Sequence, residues 1–168
     1  MVQLNNRKLI VTTIAALLVI AGVVAKNSSE QLKLGADSMV AKAGMAAFIG
    51  GWILCAYIFS ANKSNKMLFI LPSIGVVASV MGMKMMKESQ FAMLFPAIFA
   101  LSWIVLGYGV GNHLSGLMKY SGLVASALVL SSMMAILPFQ RKHCNVDGPG
   151  EYMFGLAWAI LVYLNSMR

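Results

Sequence analysis

Six stretches of this chain, roughly residues 9–25, 39–60, 67–83, 91–110, 121–137 and 152–166, are predominantly apolar and contain no acidic residue. Each is close to the ~17–25 residues a helix needs to cross a hydrocarbon layer about 30 Å thick. The expectation is an all-α polytopic membrane protein with six transmembrane helices. Composition agrees: 60% of residues are hydrophobic, 11% are charged and the mean hydropathy is +0.79, against about 25% charged residues in a soluble domain. The connections are too short to hold a soluble domain, so function must reside in the membrane, at its surfaces or in contacts between proteins.

The even-numbered runs share a pattern. Phe48-Trp52-Tyr57, Phe99-Trp103-Tyr108 and Phe154-Trp158-Tyr163 repeat one spacing, Phe-x3-Trp-x4-Tyr, and use all three tryptophans of the chain. The odd-numbered runs echo one another in Gly75-Val76-Val77-Ala78-Ser79 and Gly122-Leu123-Val124-Ala125-Ser126, with a looser copy at Gly22-Val23-Val24-Ala25. Together these predict three tandem helical hairpins, spanning roughly 1–62, 63–113 and 114–168 and related by an axis along the membrane normal. At 100° per residue Phe and Trp four apart share a helix face, and the Tyr lies on the opposite side. Each Tyr falls in the last turns of its helix, shortly before Asn62, Asn112 or Asn165. The three tyrosines should therefore mark one membrane interface, where rings with a polar tip are favoured. The Phe–Trp pairs sit deeper and should pack between helices.

Small residues at four-residue spacing, Ala43, Ala47 and Gly51, suggest close helix contact on the second run, as do Gly75, Ser79, Gly122 and Ser126 on the third and fifth. Pro72 predicts a kink whose freed carbonyl a neighbour must satisfy. Ahead of the first run stand Arg7 and Lys8, and Val23-Val24-Ala25 resembles a signal-peptide cleavage site. The run is longer than a usual signal-peptide core, so an uncleaved first span is expected, followed by a polar loop over 26–38. With six spans, one side of the membrane receives Arg7, Lys8, Lys63, Lys66, Lys119 and Arg168 and the other receives seven Lys or Arg together with all five acidic residues. The basic count alone does not orient the chain. The difference in net charge, +6 against +2, places both termini in the cytoplasm and makes that face a surface for anionic lipid headgroups. A net charge of +8 is no argument for sequence-specific nucleic-acid binding here, because the basic residues are scattered over loops.

No catalytic constellation is present. Proton and ion pathways through a bilayer use ionisable groups within the spans, and these runs hold no Asp, Glu or His. Serines in the spans could line a pore, but hydroxyls in apolar helices usually bond to their own backbone carbonyls. His143, Cys144 and Asp147 fall short of the convergent three or four ligands of a metal site and read as a hydrated turn. Cys55 and Cys144 lie at different depths and do not form a disulfide framework. The cluster Met81, Met83, Met85 and Met86 offers soft sulfur atoms of the kind that select Cu(I). Met81-x3-Met85 is similar to the methionine motifs of the trimeric copper-uptake channels, which implies a Cu(I) path. The chain departs from that family in having six spans and no Met-rich tail, and methionine as packing material is the better reading. No cofactor is expected.

Six spans in three tandem hairpins resemble the mitochondrial carriers in outline, without that family's P-x-[DE]-x-x-[KR] motifs. The helix Gly51-Trp52-Ile53-Leu54-Cys55-Ala56-Tyr57 resembles small multi-pass membrane proteins of large DNA viruses. That resemblance implies a structural protein of an internal virion membrane, meeting capsid or genome through basic loops. The function expected is accordingly a non-enzymatic membrane scaffold or assembly protein, partnered by lipid, other copies of itself, or membrane and capsid proteins. The alternative is a small channel or carrier for an uncharged solute along the repeat axis.

Overall fold

A computed structural model describes residues 5–35, 37–61, 63–85, 94–140 and 149–167. Among these residues the protein is all-helical: α1 (Asn6–Gln31), α2 (Met39–Ser60), α3 (Met67–Met85), α4 (Leu94–Gly111), α5 (Ser121–Gln140) and α6 (Pro149–Ser166), with a short 3₁₀ turn at Gly116–Tyr120. Asn6–Lys26, Met39–Ser60 and Leu94–Gly111 are long and apolar enough to cross a membrane, and Met67–Met83 and Tyr152–Ser166 are shorter apolar helices.

Local chemistry explains several boundaries. Asn5 Oδ1 accepts from the Lys8 N–H at the start of α1, and Ser38 Oγ accepts from the Ala41 N–H at the start of α2, each satisfying a donor that the first helical turn leaves free. α1 does not stop at Lys26, where the apolar run ends. It continues through Asn27-Ser28-Ser29-Glu30-Gln31, so the polar connection begins at Leu32 rather than at 26. Hydropathy marks only the part of a helix that avoids water, while Lys, Glu and Gln are themselves good helix formers. The turn beyond uses positive φ at Lys33 and Gly35. In α3, Pro72 takes away the helix donor that the Leu68 carbonyl would otherwise have. α4 passes this carbonyl at a glycine: a methyl group on Gly109 would lie 3.4 Å from it.

The helices form a closed ring. α1 packs on α2, α3 on α4 and α5 on α6, and these pairs join through α2 with α3, α4 with α5 and α1 with α6. The last junction is fastened by polar groups. Asn5 N–H donates to the Ser166 carbonyl at 2.9 Å, and buried Asn165 Nδ2 donates to Thr12 Oγ1 at 3.1 Å. Asn165 is thus an interior lock. Asn112, in contrast, is exposed at the end of α4, and Asn62 lies outside the described residues.

Outward faces are apolar too. Ile14 and Leu17 on α1, Ile53 on α2, Leu71 and Ile74 on α3, Leu101 and Ile104 on α4, Val124 on α5 and Leu156 on α6 are all exposed. Apolar side chains exposed on every helix are unusual on a soluble protein and are consistent with a membrane protein.

Candidate functional site: the aromatic axis

Trp52, Trp103 and Trp158 meet at the centre of the ring. Their ring centroids are 5.3 Å apart for Trp52–Trp103, 5.4 Å for Trp52–Trp158 and 5.7 Å for Trp103–Trp158, with interplanar angles of 77°, 60° and 81°. Each indole therefore touches both others, and each is only 1% exposed. On the same helix faces, Phe48, Phe99 and Phe154 lie 6.4, 6.2 and 6.4 Å from the tryptophan of their own helix. Phe154 also reaches Trp103, at 6.5 Å. Tyr57, Tyr108 and Tyr163 are exposed on the outside. The same spacing thus produces the same arrangement three times: Phe and Trp inward, Tyr outward.

Toward the C-terminal end of each even helix the inner face continues. Three residues after each Trp stand Cys55, Leu106 and Leu161, all 0% exposed, and seven after it stand Phe59, Val110 and Asn165, all buried. Steps of four, three and four residues keep side chains in line on a helix. From Phe48 to Phe59 these layers extend over roughly 16 Å at 1.5 Å per residue. Over that depth the inner faces of the even helices carry buried side chains.

The residue before each Trp is small. Gly51 faces Val19 and Ala15 of α1, Ser102 faces Gly75 of α3, and Ala157 is 0% exposed on α6. A methyl on Gly51 would come within 2.7 Å of Val19 Cγ2, a separation that real Cβ atoms do not adopt. A large ring pointing inward is thus accompanied, 100° round the helix, by a gap for the neighbouring helix. This element of the repeat is absent from the Phe-x3-Trp-x4-Tyr spacing, although the identities of residues 51, 102 and 157 carry it.

The other small residues divide. On α2, Gly51 is buried, Ala47 is partly buried and Ala43 is exposed; the contact with α1 runs instead through Gly44, Phe48 and Gly51. A strict four-residue ladder drifts about 40° at each step and winds off the contact, whereas mixing threes and fours holds it. Gly75 meets Ser102 across α3 and α4, but Gly122 meets Gly107 and Gly111, across α4 and α5. The two similar segments therefore serve different junctions. Ser79 donates to the Val76 carbonyl. Ser126 donates to the Gly122 carbonyl at 3.2 Å and to the Trp103 carbonyl at 2.5 Å, tying α5 to α4 beside the triad. Ser73, Ser102 and Ser132 likewise donate to carbonyls of their own helices, Phe69, Ile98 and Val129.

All three indole N–H groups are buried and have no hydrogen-bond partner. An unpaired buried donor typically costs about 1–3 kcal/mol. Steep interplanar angles turn the electropositive edge of one ring toward the electronegative face of the next, and an indole N–H on such an edge has a π face as its available acceptor.

Met81 and Met85 are exposed at the far end of α3, and Met83 packs partly against the core. No cluster of three His, Cys, Asp or Glu side chains occurs among the described residues. His143, Cys144, Asp147 and Met86 lie outside them. Comparison with protein families, with curated proteins and with solved structures finds no match.

Proposed function

We propose that the chain is a six-span membrane protein built from three related hairpins, and that it serves as a non-enzymatic scaffold or assembly element of its membrane. The observation that carries this reading is the filled axis. A carrier or channel needs a polar path, and the place where threefold helices would leave one holds three mutually packed tryptophans with buried layers beyond them. Buried hydroxyls in the spans donate to backbone carbonyls, as structural hydroxyls do.

Six spans are favoured by the apolar exterior, which covers α3, α5 and α6 as well as the three longest apolar helices. Met67–Met83 and Tyr152–Ser166 would reach roughly 26 and 22 Å at 1.5 Å per residue. Bilayers thin locally around short spans at modest cost, and Tyr108 and Tyr163 would sit at that boundary. The termini face the cytoplasm. The partners are lipid and other membrane-bound proteins, including further copies of this chain, and the virion membrane implied by the α2 resemblance is one such setting.

Purified protein in liposomes tests the reading. The expected result is no flux of glycerol, urea or Cu(I) above that of protein-free vesicles; a saturable flux, lost when the axis is further blocked by Cys55→Phe, contradicts it.

A further inference from the structure

At one end of the ring three basic residues lie just beyond its last buried layer. Lys8 is one helical turn outside Thr12, whose Oγ1 donates to the Lys8 carbonyl and accepts from the buried Asn165. Lys63 follows fully buried Phe59 by four residues, with its N–H on the Ser60 carbonyl. His113 follows buried Val110 by three. They come from the start of α1, from the connection between α2 and α3, and from the end of α4, so the ring itself assembles them. Lys8 and Lys63 are half-buried and His113 is exposed.

These groups feel one another. Burial and then Lys8 lower the pKa of Lys63. Burial and then Lys63 lower that of His113, Lys8 adding to the effect and a hydrogen bond with the Val110 backbone opposing it. The segments at this end carry no acidic side chain: residues 1–8, 61–66 and 111–120 contain no Asp or Glu, while they add Arg7, Lys66 and Lys119. By contrast, Lys42 at the opposite end has a carboxylate, Asp37, at 3.5 Å. Basic groups gathered at one end of the ring, partly out of water and with no acidic side chain among the described residues of that end, make a site for an oxyanion.

We propose that Lys8, Lys63 and His113 form an anion site at the mouth of the helical ring, taking a phosphate group such as a lipid headgroup or free phosphate carries. Its placement at headgroup depth rests on the six-span reading. The binding chemistry rests only on the cluster.

The test is NMR titration of His113, with its signal assigned by His113→Asn, in nanodiscs of phosphatidylcholine. Inorganic phosphate is added in one arm, and phosphatidic acid is incorporated in the other. A bound phosphate raises the His113 pKa, because a nearby negative charge favours imidazolium. A response to inorganic phosphate supports a site open to the free ion; a response to phosphatidic acid alone supports the headgroup as occupant. Lys63→Gln is expected to weaken the response about tenfold, the equivalent of one charge-assisted hydrogen bond, and Lys33→Gln at the other end to leave it unchanged. No response in either arm, or equal responses in Lys63→Gln and the parent, overturns the proposal. Flotation with vesicles is scored separately: protein that fails to float yet shows the phosphate response in detergent defeats the membrane reading and leaves the anion site standing.

Discussion

Among single residues, the three tryptophans carry the largest consequences. Each fills the centre of the ring with a bulky ring and also brings an unpartnered N–H into it. Those contributions oppose each other, and substitutions can separate them. Trp103→Ala should destabilise by about 3–5 kcal/mol, as large-to-small changes in packed interiors do. Trp103→Phe, which keeps most of the ring and removes the orphan donor, should cost less than about 2 kcal/mol. Helicity followed by circular dichroism during denaturation in detergent micelles measures both; equal losses would mean that the indole N–H has a strong partner. His113 supports a prediction of sign. Its folded pKa lies below the usual value, so the unfolded chain binds protons more readily. Stability should therefore fall as pH drops through about 6.5 and onward to the folded pKa. Lys63→Gln should diminish that acid sensitivity, and the same denaturation repeated at about pH 7.5 and 5.0, either side of the ordinary imidazole value, reads it out.

For the helices as elements, the determining feature is where backbone meets backbone. α4 and α5 approach at Gly107 and Gly122, where a side chain on either would collide with the other helix, and Ser126 bonds across the same contact. Gly107→Val should therefore destabilise by about 1–3 kcal/mol, as overpacking does. A methyl group on Gly50 would meet nothing within 4 Å, and Gly50→Leu should change stability by no more than about 0.5 kcal/mol. Thermal denaturation of the two variants makes the comparison. Both glycines lie in apolar helices, and only the arrangement of the helices distinguishes them. For that reason the ladder at Ala43, Ala47 and Gly51 could be seen in the sequence while its working register, through Gly44 and Phe48, could not. Which side of a helix faces a neighbour is decided by the neighbour.

In the molecule as a whole, the pattern legible beforehand was that of the even helices. Phe-x3-Trp-x4-Tyr indicates an inward ring pair and an outward Tyr because helical geometry leaves no alternative once the spacing recurs. That the three indoles would touch required knowing that the ring closes. Closure depends on Thr12 meeting Asn165, a contact between residues 153 apart in sequence with no periodic signal. The length of α1 was hidden for another reason: its last turn is polar, and hydropathy does not register a helix that has left the apolar layer. The basic mouth was hidden likewise, since Lys8, Lys63 and His113 are far apart along the chain and adjacent only when α1, α2 and α4 share an end.

Vectorial labelling of single cysteines in sealed vesicles tests the three-hairpin membrane architecture most directly. In a Cys144→Ser background, with Cys55 buried, the probes are Ser64→Cys, Ser115→Cys and Leu34→Cys, all at exposed positions. A membrane-impermeant maleimide should reach residues 64 and 115 from the same, cytoplasmic side and residue 34 only from the other. Labelling of residues 64 and 115 from opposite sides, or of all three from one side, would contradict it.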